Sequence, residues 1–172
     1  MILRVKAVLK ICAGIMFLAM LTACNDPQDS KMVQQAVAIE SSDECHLCGM
    51  IITNFPGPKG QLYSKGIEGD LKFCSTRDMF AFIVDPENKH NIQQAFVHDM
   101  ATTPWGKPDN EIFVDAKKAF YVIGHQKKGA MGPTLASFAK RKDAQLFLEQ
   151  EGGKIFTYDE IDLEVLVSMT NG

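Results

Sequence analysis

The chain has 172 residues, with 18 Lys plus Arg against 21 Asp plus Glu and a formal charge of −3. That balance, with no basic run, excludes the electrostatic footprint of a nucleic-acid-binding protein. With 46% apolar residues, the length suffices for one domain with a real core, or for two very small ones.

In chain order, Arg4, Lys6 and Lys10 precede a short apolar run over 11–21. The run is too short to span a membrane comfortably and reads as the core of an export signal. It ends in Leu21-Thr22-Ala23-Cys24, a lipobox-like sequence. The expectation is therefore a lipoprotein signal over 1–23, with Cys24 acylated. Acyl chains anchor a protein to a bacterial membrane without crossing it, here facing the periplasm. Asn25 follows the cysteine where an Asp would hold the protein at the inner membrane, which favours the outer membrane. Loss of Arg4, Lys6 and Lys10 takes the formal charge from −3 to −6. Cys45, Cys48 and Cys74 then remain beside the acylated Cys24. Three is an odd number for an oxidising compartment, so at least one thiol is available for chemistry.

Residues 24–44 are polar and read as a flexible tether. A first lobe over 45–100 follows. In it "GQLYSKG" and "LKFC" are short strands around a turn at 66–70. Ser75 and Asp78 have capping-box spacing, Met79, Phe82 and Ile83 repeat at helical spacing, and "AFVHDM" is a strand. An inter-lobe segment, 101–118, begins with a Pro/Gly-rich loop in which Trp105 reads as a plug over the core. The second lobe and a C-terminal helix occupy 119–172. "AFYVIG" is a strand, "GAMGPTLASF" a turn and a strand, 140–151 a helix, "KIFTY" a strand and 161–169 an amphipathic helix. Sliding the chain by 65 places Phe73 on Phe138, Asp78 on Asp143 and Phe82 on Phe147. The fold class expected is α+β, built of two related small β-β-α-β lobes. His90 and His125 lie in polar runs and read as solvated surface residues.

The chemistry is concentrated in "DECHLCGM", residues 43–50. Haem attachment is excluded, because Gly49 stands where C-x-x-C-H needs its histidine. A redox dithiol belongs at a helix N-terminus after a strand, whereas a polar stretch precedes Cys45 and the β-branched Ile51-Ile52-Thr53 follows. Structural zinc needs four ligands. Cys45, Cys48 and Cys74 supply three in a treble-clef-like skeleton, and a carboxylate or His98 is left to supply the fourth. Soft thiolate and thioether donors select Cu(I), and imidazole also suits copper. Met50 follows Cys48-Gly49 directly, and Met100 lies two residues after His98. Cys48 and Met50 are the leading ligands for Cu(I), since Gly49 allows a tight turn between them. Cys45, Cys74, His98 and Met100 are candidates to complete the site. The chain reads as a metal carrier, not an enzyme.

Six stretches together resemble the NosL family: the lipobox, Glu44-Cys45-His46-Leu47-Cys48-Gly49-Met50, Lys72-Phe73-Cys74-Ser75, Val97-His98-Asp99-Met100, Tyr121-Val122-Ile123-Gly124 and Lys128-Gly129-Ala130-Met131-Gly132. The resemblance implies two β-β-α-β lobes related to organomercurial lyase. It implies a Cu(I) chaperone of denitrification that serves assembly of the nitrous oxide reductase copper centres. Its partners would be the reductase and an ABC-transporter-associated periplasmic maturation protein. The lyase kinship adds a rival reading, cleavage of carbon–metal bonds by the three cysteines with Asp78. A thiol–disulfide redox lipoprotein is the other alternative.

Overall fold

The structure, a computed structural model, describes residues 34–170. The expected signal segment and the acylated Cys24 lie outside the described residues. Among those residues, no helix is long and apolar enough to cross a membrane.

Strand β1 (Gly60–Ser64) pairs antiparallel with β2 (Leu71–Phe73) on one side and β3 (Ile92–His98) on the other. Strand β4 (Phe113–Asp115) adds to β3, giving the order β2-β1-β3-β4. Helix α1 (Thr76–Val84) follows β2 directly. Ser75 caps it, its hydroxyl accepting the Asp78 backbone N–H at 3.1 Å, which satisfies one of the free donors of the first turn. Met79, Phe80, Phe82 and Ile83 give α1 its buried face. The helix lies so close to β1 that a Cβ on Gly60 would stand 2.5 Å from the Met79 sulfur. Gly60→Ala is therefore expected to destabilise the fold by about 1–3 kcal/mol through overpacking. A urea midpoint unchanged from the parent's would refute this contact.

The element order then recurs. Strand β5 (Phe120–Ile123) is followed by a small hairpin, β6 (Lys128–Gly129) and β7 (Gly132–Pro133). Strand β8 (Ala136–Phe138), helix α2 (Arg141–Glu151) and strand β9 (Lys154–Thr157) come next. The sheet order is β8-β5-β9, all antiparallel, so in each sheet the first strand is central. Strand β2 and helix α1 begin at 71 and 76, β8 and α2 at 136 and 141, the offset of 65 read in the sequence. Helix α3 (Leu163–Ser168), capped by Asp162, closes the chain against α1.

The two sheets do not each own a core. One cluster joins Leu62, Phe73 and Phe80 of the first sheet and its helix to Tyr121 and Leu135 of the second unit. Phe80 meets Tyr121 edge-on, with centroids 4.9 Å apart, and lies 5.4 Å from the Tyr158 ring. The Thr76 hydroxyl donates to the Leu135 carbonyl at 2.6 Å, and the Ser137 hydroxyl donates to the His98 carbonyl at 2.7 Å. A smaller cluster, Val122, Ala136, Phe138 and Ala144, lies beneath α2.

Two expectations are corrected. Residues 34–44 are not a loose tether. The Gln61 side chain brackets Val37, accepting its N–H at 2.9 Å and donating to its carbonyl at 2.7 Å. Ile39 is buried, and its N–H reaches the Asn110 carbonyl at 3.0 Å. One apolar anchor and one two-pronged amide fix a stretch whose composition is polar. His90 is exposed as expected. His125 is not, being 5% exposed beneath Trp105 and Phe147, whose centroids lie 5.3 and 5.1 Å from its own. Trp105 is the plug it was read to be. It stacks on Phe147 at 5.8 Å, donates from Nε1 to the Lys128 carbonyl at 2.9 Å, and accepts the Gly57 N–H on its own carbonyl.

Burial has a consequence for acid stability. His98 and His125 are held down to about 3 and about 4, in both cases mainly by desolvation. An unfolded chain binds these protons from about 6.5 downward, while the folded one stays neutral. The stability is thus fully present above that value and is lost as pH falls towards the folded values. The loss approaches about 1.4 kcal/mol per pH unit for each histidine. Unfolding midpoints should fall between pH 7 and 5, and less steeply in His125→Phe. A flat profile would contradict the burial.

Candidate metal site

The cysteine pair sits on a knuckle. Glu44 bridges to Ile51, the Cys45 N–H donates to the Met50 carbonyl at 2.9 Å, and the Gly49 N–H donates to the Cys45 carbonyl at 2.8 Å. Turning the chain this tightly takes Gly49 to φ +70°, where a side chain would be strained. The His46 N–H reaches the Lys72 carbonyl at 2.8 Å, docking the knuckle on the end of β2. The histidine between the two cysteines is exposed, with its ring edged against the core aromatics. Its ring meets Phe73 and Phe82 edge-on at 6.0 and 5.3 Å.

Cys74 is the residue after β2, and Asp78 lies one turn on, inside α1. The Cys74 thiol donates to Asp78 Oδ2 at 3.0 Å, and its sulfur is 3.5 Å from that of Cys48. One ligand atom from each of Cys45, Cys48, Cys74 and Asp78 lies within 4.8 Å of all the others. Two sulfurs bound to one ion at about 2.3 Å stand roughly 4 Å apart, so the four groups have the scale of a single-ion site. Cys45, Cys74 and Asp78 are buried, and Cys48 is exposed. The site is a closed pocket with one open sulfur.

Charge is unevenly shared. The Cys74 thiol, and then the backbone N–H groups of Cys74, Cys48 and Leu47, hold the Cys45 thiol well below its ordinary range, against the opposing effect of burial. The same hydrogen bond to Cys45 pushes Cys74 up, with burial and Asp78 adding to it. Burial raises both Cys48 and Asp78. Of the three thiols, Cys45 is the one whose ionisation the surroundings favour, while those of Cys48 and Cys74 are opposed.

Of the residues expected from sequence, the structure brings Cys45, Cys48 and Cys74 together. Met50 flanks them. It is half-buried against the main core, and its carbonyl accepts the Cys45 N–H. His98 and Met100 are not part of this group. His98 is fully buried on β3 at 4.4 Å from the Phe113 ring, and its Nδ1 accepts the Lys59 N–H at 3.3 Å. Met100 packs on the second cluster. The His98-Asp99-Met100 run forms no open edge, because Asp99 is also buried and its carboxylate accepts the N–H groups of Ala101 and Ala139. Asp78, named beside the three cysteines only for the carbon–metal cleavage reading, was not counted among the copper ligands, although its spacing four residues after Cys74 was a usable signal.

Fold and donor set together define a small α+β protein whose cysteine cluster has the chemistry to hold one soft metal ion. The family pattern described as NosL matches residues 36–166. The chain is 44% identical over 155 residues to the "Copper-binding lipoprotein NosL" of Stutzerimonas stutzeri, covering 88% of this chain and 80% of that protein. It is 34% identical over 159 residues to the protein of the same name from Achromobacter cycloclastes, covering 90% and 81%. The crystal structure of the copper chaperone NosL from Shewanella denitrificans superposes with a TM-score of 0.74 at 52% identity, covering 76% of this chain and 97% of that one. The chain belongs to the NosL family.

Proposed function

We propose that this protein is a membrane-anchored, periplasm-facing Cu(I) carrier that supplies copper for assembly of nitrous oxide reductase. One observation carries the reading: three cysteine sulfurs converge with a single one, Cys48, open to solvent. Thiolates select Cu(I), and a site closed on all sides but one suits a cargo that is received and handed on. Cys48 is the entry and exit ligand, Cys45 and Cys74 hold the ion from beneath, and Met50 flanks the opening. The recipient would be the reductase, reached through an ABC-transporter-associated periplasmic partner, and acylated Cys24 would keep the carrier at the outer membrane. The names of the relatives support the copper and the lipid anchor.

The test is competition for Cu(I) between the full chain in detergent micelles and a chromophoric chelator. X-ray absorption on the loaded protein would follow. One tightly held Cu(I) per chain, in a shell of sulfur donors, is the expected result. Failure to hold Cu(I) against the chelator would overturn the proposal.

The hydrogen bond from the Cys74 thiol to Asp78, beside Cys45, favours one second reading. In carbon–mercury cleavage, a thiolate would take the mercury while the Cys74 proton passes to the departing carbanion. Turnover of phenylmercury to benzene by the metal-free protein would establish that activity; its absence removes the reading.

A further inference from the structure

Cys48 lies on the knuckle and Cys74 follows β2, yet their sulfurs are in contact at 3.5 Å. A disulfide holds its sulfurs about 2.05 Å apart, so closure asks for roughly 1.5 Å of approach. The knuckle is already docked beside β2, through the His46 N–H on the Lys72 carbonyl at 2.8 Å. Access separates the two sulfurs. Cys48 is exposed, whereas Cys74 is fully buried behind it. Cys45 is also buried, so a reagent arriving from solvent meets Cys48 first and finds a second sulfur already touching it.

We propose that Cys48 and Cys74 form a redox pair, which an external disulfide closes into an intramolecular bond. The Cys48 sulfur attacks the external S–S bond, forming a mixed disulfide and releasing one thiol, which carries off the Cys48 proton. Cys74 then attacks the Cys48 sulfur. The mixed bond breaks, and the second thiol leaves with the Cys74 proton. Two protein thiols are oxidised and one external disulfide is reduced to two thiols, so atoms and electrons balance. Exchange of this kind runs through a mixed disulfide and depends on access to the sulfur attacked. The oxidising compartment assigned to the chain under the proposed function is where disulfides form and persist.

Closure would disable the cluster. It consumes the one open sulfur and one of the two beneath it, and leaves Cys45, which is 2% exposed, as the last free sulfur of the group. Metal and oxidant therefore compete for Cys48: a bound ion shields the pair, and a closed pair excludes the ion. This consequence rests on the copper-carrying reading, whereas the pairing itself does not.

The test treats the full chain in detergent micelles, reduced and metal-free, with oxidised glutathione in the absence of oxygen. Remaining thiols are then alkylated and the tryptic peptides are mapped by mass spectrometry. Cleavage after Lys72 and Arg77 isolates Cys74, while Cys45 and Cys48 share a peptide that ends at Lys59. The expected product joins Cys74 to Cys48, with Cys45 alkylated. After removal of glutathione, the closed chain should take up no Cu(I) in chelator competition and should recover on reduction. A chain loaded with Cu(I) beforehand should resist closure. A bond that includes Cys45, a Cys48 that stops at the mixed disulfide, or no reaction at all would each overturn the pair. Undiminished Cu(I) uptake by the closed chain would overturn its effect on the site. A reduced parent that binds no Cu(I) would defeat the proposed function, while the mapped bond, which needs no metal, would still decide the pairing.

Discussion

Phe80→Ala should cost about 3–5 kcal/mol of stability, as large-to-small changes of buried aromatic residues do. Phe80 is fully buried at the point where α1 of the first sheet meets Tyr121 of the second and Tyr158 beyond it. Tyr121 cannot follow a retreating partner, because its hydroxyl donates to the Ala116 carbonyl at 2.6 Å. The vacated space therefore stays open between the sheets, and the loss includes both burial and the edge-on ring contact. Domains of this size have only about 5–15 kcal/mol in total, so the variant should accumulate poorly. Leu163→Ala, at a position 64% exposed, should change stability by no more than about 0.5 kcal/mol. Urea unfolding of the two variants decides the matter, and equal costs would mean that the sheets do not share a core at Phe80.

Cys45→Ser should cause the greatest loss of Cu(I) affinity among single substitutions. Cys45 is buried at the base of the cluster, and its surroundings lower the pKa of its thiol, so losing the proton to a metal costs least there. Changing residues that only support a ligand costs roughly 10–100-fold in metal affinity, and removing the ligand itself should exceed about 100-fold. Cys48→Ser should lower affinity less and slow copper exchange more, since Cys48 is the exposed sulfur. His98→Ala should leave Cu(I) affinity intact while lowering stability, because the Lys59 N–H loses its acceptor. Met100→Leu should leave both nearly unchanged, a volume-conserving swap in an apolar cluster. Chelator competition across the four variants gives the ranking. If His98→Ala matched Cys45→Ser, the ion would sit on β3 and the cysteine cluster would not be its site.

Local signals were legible and long-range ones were not. Ser75 and Asp78 announced the start of α1, and the shift of 65 announced the second strand–helix pair, because caps and strand periodicity are written within a few residues. Cys45, Cys48 and Gly49 announced a knuckle for the same reason. His98 and Met100 misled because a strand's alternation separates two faces without saying which faces the site. Pairing of β3 with β4 sets Phe113 over His98, and that contact spans a loop. Asp78 has two uses: its backbone N–H answers the cap while its carboxylate answers Cys74. Only the second depends on how β2 and the knuckle meet. His125 looked polar because its neighbours in sequence are, yet its surroundings come from Trp105 and Phe147, neither of them local.

Trp105 is the one tryptophan of the chain, which turns a packing residue into an optical probe. Its indole touches the second sheet's cluster, while its carbonyl holds Gly57, two residues before Lys59. The 55–58 segment is tied to the indole's own backbone at Gly57 and, through the Pro58 carbonyl, to the Thr76 N–H two residues after Cys74. Any displacement of that segment as cargo arrives or leaves would alter the polarity around one fluorophore, with no competing emission from another indole. Intrinsic fluorescence at the red edge of excitation thus follows that segment in real time, in unlabelled protein.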